Sequence, residues 1–186
     1  MNKVCIVTGA SRGMGYGIAK VLAEEEGATV YATARSKKAL DDLSASIKGN
    51  SGVIYPCVLD QADDGAVEKF VLNVIAKEKQ IDLLVNSAYG GLTAMAPHFG
   101  KPFWERPVSV FDASMNIGLR SAFVMSKFVA PHMVENKSGL MVQVSSFGGY
   151  GYLFDVGYGV GKAGLDRLSA DMAAELTTHG VSSVTL

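Results

Sequence analysis

The residues best suited to do chemistry begin at position 8. Thr8-Gly9-Ala10-Ser11-Arg12-Gly13-Met14-Gly15 gathers three glycines into one short segment directly after an apolar run, Val4-Cys5-Ile6-Val7. Glycine is needed where a chain turns tightly, and where backbone must approach a pyrophosphate or pack closely on a sheet. The phosphates then meet the positive N-terminus of the helix that follows. The segment therefore reads as a phosphate-binding loop for a dinucleotide; the alternative is a tight strand-to-helix turn with no ligand. A second signal stands in Val30-Tyr31-Ala32-Thr33-Ala34-Arg35. A site that prefers NAD places an acidic residue at the end of this strand, where it accepts from the adenosine ribose hydroxyls. Here Ala34 holds that place and Arg35 comes next. A carboxylate would repel a 2′-phosphate, whereas a guanidinium binds it through charge-assisted, often bidentate bonds. Arg12, inside the glycine loop, is placed to add a second cation. Singly, each arginine also reads as a solvated surface charge. Together they point to NADP(H), held by Gly9, Ser11, Arg12, Gly13, Met14, Gly15 and Arg35.

The elements that must position these residues follow from periodicity. Lys3–Thr8 is a continuous apolar run of the kind buried on both faces of a parallel sheet. After the glycines, Ile18, Val21 and Leu22 form a helical stripe that ends at Gly27. Thr29–Ala34, Val53–Leu59, Ile81–Val85, Leu140–Ser145 and Val181–Leu186 read as further strands. Ser36–Lys48, Asp63–Lys79, roughly Asn116–Glu135 and Val156–His179 read as helices between them. The pattern lapses from Asn86 to Pro107, a stretch of Gly, Pro and aromatics too long for a routine connection and therefore expected to be functional. Repeated βα units imply a parallel sheet with helices on both faces. The bulk properties agree. Among 186 residues, 48% are apolar and 19% charged, and the net charge is −1, which gives nothing to attract nucleic acid or anionic lipid.

With others downstream, these residues resemble the short-chain dehydrogenase/reductase family, whose glycine motif is Thr-Gly-x-x-x-Gly-x-Gly. The family's extended epimerase and dehydratase branch would carry a Gly in place of Arg12. The resemblance spans the whole chain. It implies a Rossmann-type fold, a doubly wound α/β domain with strand order 3-2-1-4-5-6. Asp60 matches the aspartate that hydrogen-bonds the adenine amino group. Asn86-Ser87-Ala88 matches the family's Asn-Asn-Ala-Gly only in part: Ser87 replaces the second Asn and Tyr89 the Gly. That motif steadies the sheet and lines the cofactor cleft, so the departure is expected to touch local stability more than chemistry.

Tyr158-Gly159-Val160-Gly161-Lys162 is the family's Tyr-x-x-x-Lys, and four residues apart on a helix puts both side chains on one face. A tyrosine with the reference pKa of roughly 10 is a poor acid/base near neutrality. A nearby ammonium favours the phenolate, and an oxidised nicotinamide adds to this. The resemblance assigns Lys162 to the nicotinamide ribose as well. It assigns Ser146, twelve residues before Tyr158, to the substrate oxygen, and Asn116 to a relay water reaching the lysine. A narrower branch is matched by Phe103-Trp104-Glu105-x-Pro107, by Asn116-x-Gly118-Leu119-Arg120 and by Phe154-x-Val156-x-Tyr158. That branch implies an NADPH-dependent carbonyl reductase acting on hydrophobic carbonyls or alcohols such as steroids, cytoplasmic or associated with the endoplasmic reticulum. The family also implies a homo-oligomer through the helices at 116–135 and 156–179.

Other features read more plainly. Cys5 and Cys57 are expected as reduced core thiols. The three histidines show no metal spacing, and Ser146 lacks the Gly-x-Ser-x-Gly elbow of a hydrolase. The aromatics between Gly90 and Trp104 read either as a substrate pocket or as a loop packed on its own side chains. The sequence stops inside the sixth strand, and the family's seventh strand and Pro-Gly motif are expected beyond it. The rival reading is a catalytically silent dinucleotide-binding module, or an inactive truncated form.

Overall fold

β1 (Val4–Thr8) has every residue buried, because it lies inside a parallel sheet and both of its faces are covered. The computed structural model describes residues 3–49 and 52–186. The other strands are β2 (Thr29–Ala34), β3 (Val53–Val58), β4 (Leu83–Asn86), β5 (Gly139–Gln143) and β6 (Val181–Thr185). All neighbours pair parallel, in the order β3-β2-β1-β4-β5-β6. This is the doubly wound Rossmann topology expected from the sequence. The chain reverses direction across the sheet between β1 and β4, and that opens a crevice at the strands' carboxyl ends.

Seven α-helical segments are found among the described residues: α1 (Gly13–Glu24), α2 (Lys37–Ala45), α3 (Asp64–Glu78), α4 (Gly91–Met95), α5 (Val108–Ser114), α6 (Ser121–Asn136) and α7 (Val156–Leu176). Alternation along β1 divides the core in two. Ile6 joins Val67 and Val71 of α3 and Met125, Val129 and Met133 of α6 on one face. Cys5 and Val7 join Ala19 and Ala23 of α1 and Leu40 and Leu43 of α2 on the other. The caps explain several boundaries. Asp63 accepts a hydrogen bond from the Ala66 amide, and α3 ends on Lys79 in a left-handed conformation.

Two regions differ from the sequence reading. The stretch from Asn86 to Pro107 contains α4 and two 3₁₀ turns, Ala96–His98 and Phe103–Glu105, each too short to leave a periodic signature. The helix expected to start at Asn116 is also broken: α5 begins at Val108, and a π-type turn, Met115–Arg120, precedes α6. Ile117 leaves helical geometry there (φ −109°, ψ 58°). Its carbonyl instead accepts from the Gly90 amide at 2.6 Å, so the kink ties this helix to the loop after β4.

Cys5 is buried and Cys57 half-buried on the edge strand β3; both are free thiols. Burial pushes the Cys5 thiol up to about 12 and that of Cys57 up to about 11. Among the described residues no helix is long and apolar enough to cross a membrane.

A polar network sits under the crevice. The buried Asn86 amide donates to Ser126 Oγ at 3.0 Å and to Gln143 Oε1 at 3.1 Å, and reaches the Ala122 carbonyl at 3.4 Å. Asn86→Ala would strand Gln143, which is wholly buried, and should lower unfolding stability by about 2–3 kcal/mol. Denaturant titration at unchanged m-value checks this; a loss below about 0.5 kcal/mol would show that the network carries little.

Candidate active site

The glycine loop follows β1, and its glycines are there for different reasons. Gly9 has φ +68°, and a Cβ on it would lie 2.7 Å from the Ala88 Cα. Only a hydrogen allows this approach between the two loops that flank the crevice. Thr8 Oγ1 fastens the same loops by accepting from the amides of Ser87 (3.0 Å) and Ala88 (3.1 Å). Gly15 packs against the Gly9 carbonyl, 2.6 Å from where its Cβ would be. Gly13 is left-handed (φ +60°) but has nothing within 4 Å of a Cβ position. That is open space at the start of α1, and the first turn of α1 carries no acid. A pyrophosphate would find free backbone amides and a favourable dipole there.

The other residues assigned to the cofactor stand around the same opening. Arg12 is the N-cap residue of α1; it is exposed, and among the described residues its guanidinium touches only Thr93 Oγ1, at 3.5 Å. Ser11 is half-buried and Met14 exposed. Arg35 is exposed directly after β2. Asp60 is exposed after β3, where its Oδ1 accepts from the Ala62 amide at 3.0 Å. Asn86 ends β4, its side chain turned into the network described above. The surroundings of Gly13, Arg12 and Arg35 fit a phosphorylated dinucleotide.

Ser146, Tyr158 and Lys162 come together at the end of β5. Ser146 begins a 3₁₀ turn, and its Oγ accepts from the Gly148 amide at 3.1 Å. The Tyr158 hydroxyl donates to the same Oγ at 2.8 Å. Asp155 caps α7 by accepting from the Tyr158 amide at 2.6 Å, which fixes the backbone of the tyrosine itself. Lys162, one turn further on, is buried, and its ammonium donates to the Val144 carbonyl at 2.7 Å. Burial lowers the Lys162 pKa from 10.5 to about 8, and the Asp166 carboxylate only partly opposes this.

Asn116 does not join them. It lies in the π-type turn, exposed, and among the described residues its side chain has no hydrogen-bond partner. The place beside Lys162 is taken by Tyr89. Its ring meets the Tyr158 ring edge-on at 5.5 Å, and the Lys162 ammonium lies over it at 5.3 Å. Burial pushes the Tyr89 phenol up to about 12, so it stays neutral. On the other side, Phe154 meets the Tyr158 ring at 5.1 Å and Phe99 at 6.1 Å. Phe154 holds φ +65°, a costly conformation for an aromatic residue. Sequence reasoning missed these two aromatics. The one available signal was a tyrosine standing where the matched motif has glycine.

A cavity of about 230 Å³ lies at the start of α7, lined by Phe103, Val108, Phe111 and the Arg106–Asp155 ion pair. That pair is buried, with Nη1 and Oδ2 at 2.9 Å. None of Ser146, Tyr158 and Lys162 lines this cavity. Among the described residues no cluster of His, Cys, Asp and Glu is able to hold a metal.

Comparison with known proteins turns on one match: the family model for short chain dehydrogenase covers residues 3–186. The chain belongs to the short-chain dehydrogenase family. Within that family it is 44% identical over 186 residues to dehydrogenase/reductase SDR family member 1 of Mus musculus, and 42% to that of Homo sapiens. It covers 100% of its own length and 59% of theirs, so it spans about three-fifths of these relatives. The 3-oxoacyl-acyl-carrier-protein reductase of Thermotoga maritima is 33% identical over 181 residues, 97% of this chain and 70% of that protein. Among solved short-chain dehydrogenase folds, a metagenomic short-chain oxidoreductase in complex with NADP superposes with TM-score 0.86 at 31% identity, covering 96% of this chain and 78% of that one. NAD+-bound xylitol dehydrogenase gives 0.88 at 27%, covering 98% and 68%.

The buried ammonium makes stability depend on pH. Between about pH 8 and 10.5 the folded state has released the Lys162 proton while the unfolded chain still holds it. The unfolded state then binds more protons, and stability rises with pH through this window. The gain relative to Lys162→Met should be about 3 kcal/mol. Unfolding curves of both proteins across this range measure it, and parallel curves would rule out a lowered lysine pKa.

Proposed function

We propose that this chain forms the cofactor-binding and catalytic part of an NADP(H)-dependent oxidoreductase that interconverts a hydrophobic carbonyl and its alcohol. The observation that carries the reading is the Tyr158 hydroxyl on Ser146 at 2.8 Å, next to a buried ammonium one helical turn away. When bound, NADP(H) supplies or accepts the hydride at its nicotinamide.

The rest falls to the chain's own residues. Gly9, Gly13 and Gly15 leave the backbone open to the pyrophosphate, flanked by Ser11 and Met14. Arg12 and Arg35 bind a 2′-phosphate, Asp60 the adenine, and Lys162 the nicotinamide ribose. Ser146 Oγ accepts two hydrogen bonds, from Gly148 and Tyr158, so its own hydrogen is free for a substrate oxygen. A carbonyl oxygen entering between Ser146 and Tyr158 accepts from both, and Tyr158 passes its proton to it as negative charge develops there. Lys162 stabilises the phenolate that remains. Asn116, exposed in the π-type turn, is assigned the relay water that reaches Lys162.

The exposed aromatics Phe154, against the Tyr158 ring, and Phe99, against Phe154, suit a hydrophobic substrate. A homo-oligomer is proposed through the helices at 116–135 and 156–179, where Phe123, Val156 and Val160 are exposed. Patches of this kind mark association surfaces.

NADPH should bind at least about tenfold more tightly than NADH, from charge-assisted bonds to two guanidinium groups. The double variant Ala34→Asp, Arg35→Ala should reverse the order. Equal dissociation constants in the unmodified chain would remove the basis for the NADP(H) assignment. Tyr158→Phe should abolish turnover yet keep cofactor affinity within a few-fold, since the lost hydroxyl acts on substrate. A variant retaining a tenth of the original kcat would send the search to another acid/base group.

A further inference from the structure

Tyr89 occupies a space that the fold has cleared for it. A Cβ on Gly91 would collide with its hydroxyl and ring carbon, and one on Gly118 would come within 3.1 Å of its ring. Its hydroxyl shares a hydrogen bond with Ser114 Oγ at 2.9 Å, and Ser114 is buried at the end of α5. Three elements thus converge on one ring: the start of α4, α5, and the π-type turn before α6. The ring in turn faces α7. Its contact with Tyr158 is edge-on, with an interplanar angle of 86°, and the Lys162 ammonium sits over it at 5.3 Å. Phe154 closes the opposite side of Tyr158 at 82°, so the tyrosine ring has little freedom to turn.

We infer that Tyr89 is a positioning residue for the Tyr158–Lys162 pair: its π face supports the Lys162 ammonium while its ring walls Tyr158, and its hydroxyl serves only to anchor it to Ser114. The inference rests on the proposed roles of Tyr158 and Lys162, but the ring–ammonium contact stands by itself. An ammonium withdrawn from water has three donors to satisfy, and among the described residues Lys162 makes one hydrogen bond, to Val144. Two aromatic faces lie within about 6 Å of it, Tyr89 at 5.3 Å and Tyr158 at 5.6 Å, and they add negative potential beside the Asp166 carboxylate. The groups facing Lys162 are few. Asp166 lies one turn further along α7, Tyr158 one turn back, and Tyr89 across the crevice; Asp155 reaches electrostatically as far as Tyr89. The burial that lowers the lysine pKa gives the ring contact its weight, because a cation–π contact strengthens as water is removed.

The test compares three versions of residue 89: tyrosine, phenylalanine, and pentafluorophenylalanine introduced as an unnatural amino acid. The last two have nearly the same shape but opposite ring quadrupoles. The side-chain Cε resonance of Lys162, followed by NMR through its titration, reads the ammonium directly and needs no turnover. Tyr89→Phe should leave the Lys162 midpoint nearly unchanged. The fluorinated ring should lower it by about one pH unit, the scale expected of a desolvated cation–π contact. Where turnover is measurable, the alkaline limb of the kcat profile should move to lower pH by the same amount, with a smaller change in KM. Equal midpoints in the phenylalanine and pentafluorophenylalanine proteins would overturn the inference, since a merely steric wall does not sense the sign of the quadrupole. If the fluorinated protein did not fold, cyclohexylalanine at position 89, which keeps the ring's bulk and removes the π face, would be read in the same way. A shifted midpoint alongside unimpaired turnover in Tyr158→Phe would uphold the ring contact and reject the catalytic assignment, so the two failures are distinguishable.

Discussion

A lysine ammonium buried against a single backbone carbonyl constrains everything around it. Desolvation of a cation is costly unless its acceptors are fixed in place. The Val144 carbonyl is fixed by the sheet: the Val144 amide donates to the Asn86 carbonyl at 3.0 Å, and the next amide, of Ser145, to that of Leu186 at 2.8 Å. The ladder therefore continues one step past β5 on both sides. Ser145 Oγ then reaches the Lys162 carbonyl at 3.3 Å and docks α7 on the same strand end. Below lies the Asn86–Ser126–Gln143 network, which locks β4, α6 and β5 together. The position of the ammonium thus follows from a buried polar frame, with the apolar core supplying the bulk around it.

The same economy runs through the opposite wall of the crevice. Gly9 and Gly15 let the glycine loop lie against its own backbone and against Ala88, while Thr8 holds the 87–88 amides. The two loops form one floor, so a residue added to either would be felt in both. This explains how an exposed loop with few side-chain contacts keeps a defined shape ahead of α1.

Much of this was legible in the sequence because it is local. Apolar runs gave the strands, and the stripe of Ile18, Val21 and Leu22 gave the first helix, with Gly27 marking its end. Motif spacing singled out Gly9, Ser146, Tyr158 and Lys162, and the last three lie together at the end of β5. The illegible parts depend on contacts between distant segments. The kink at Ile117 exists because its carbonyl bonds Gly90, a pairing that no helical period encodes. It leaves Asn116 exposed and without a side-chain partner among the described residues, where the resemblance gave it a relay water to Lys162. Tyr89 registered only as a departure from an expected glycine. Its meaning needs Gly91, Gly118 and Ser114, three residues separated in the chain and brought together by the fold.

Asp155 has two attachments. One oxygen caps α7 at the Tyr158 amide, and the other meets Arg106 from the irregular segment before α5. Removing either partner would leave a charge buried without its counterpart, an expensive state. For anyone recombining this chain with its relatives, positions 106 and 155 form a single unit of inheritance. A transplanted 96–107 segment that arrives without a matching residue at 155 would disturb the helix cap as well as the loop. Tyr158 would then be displaced by an exchange made some fifty residues away.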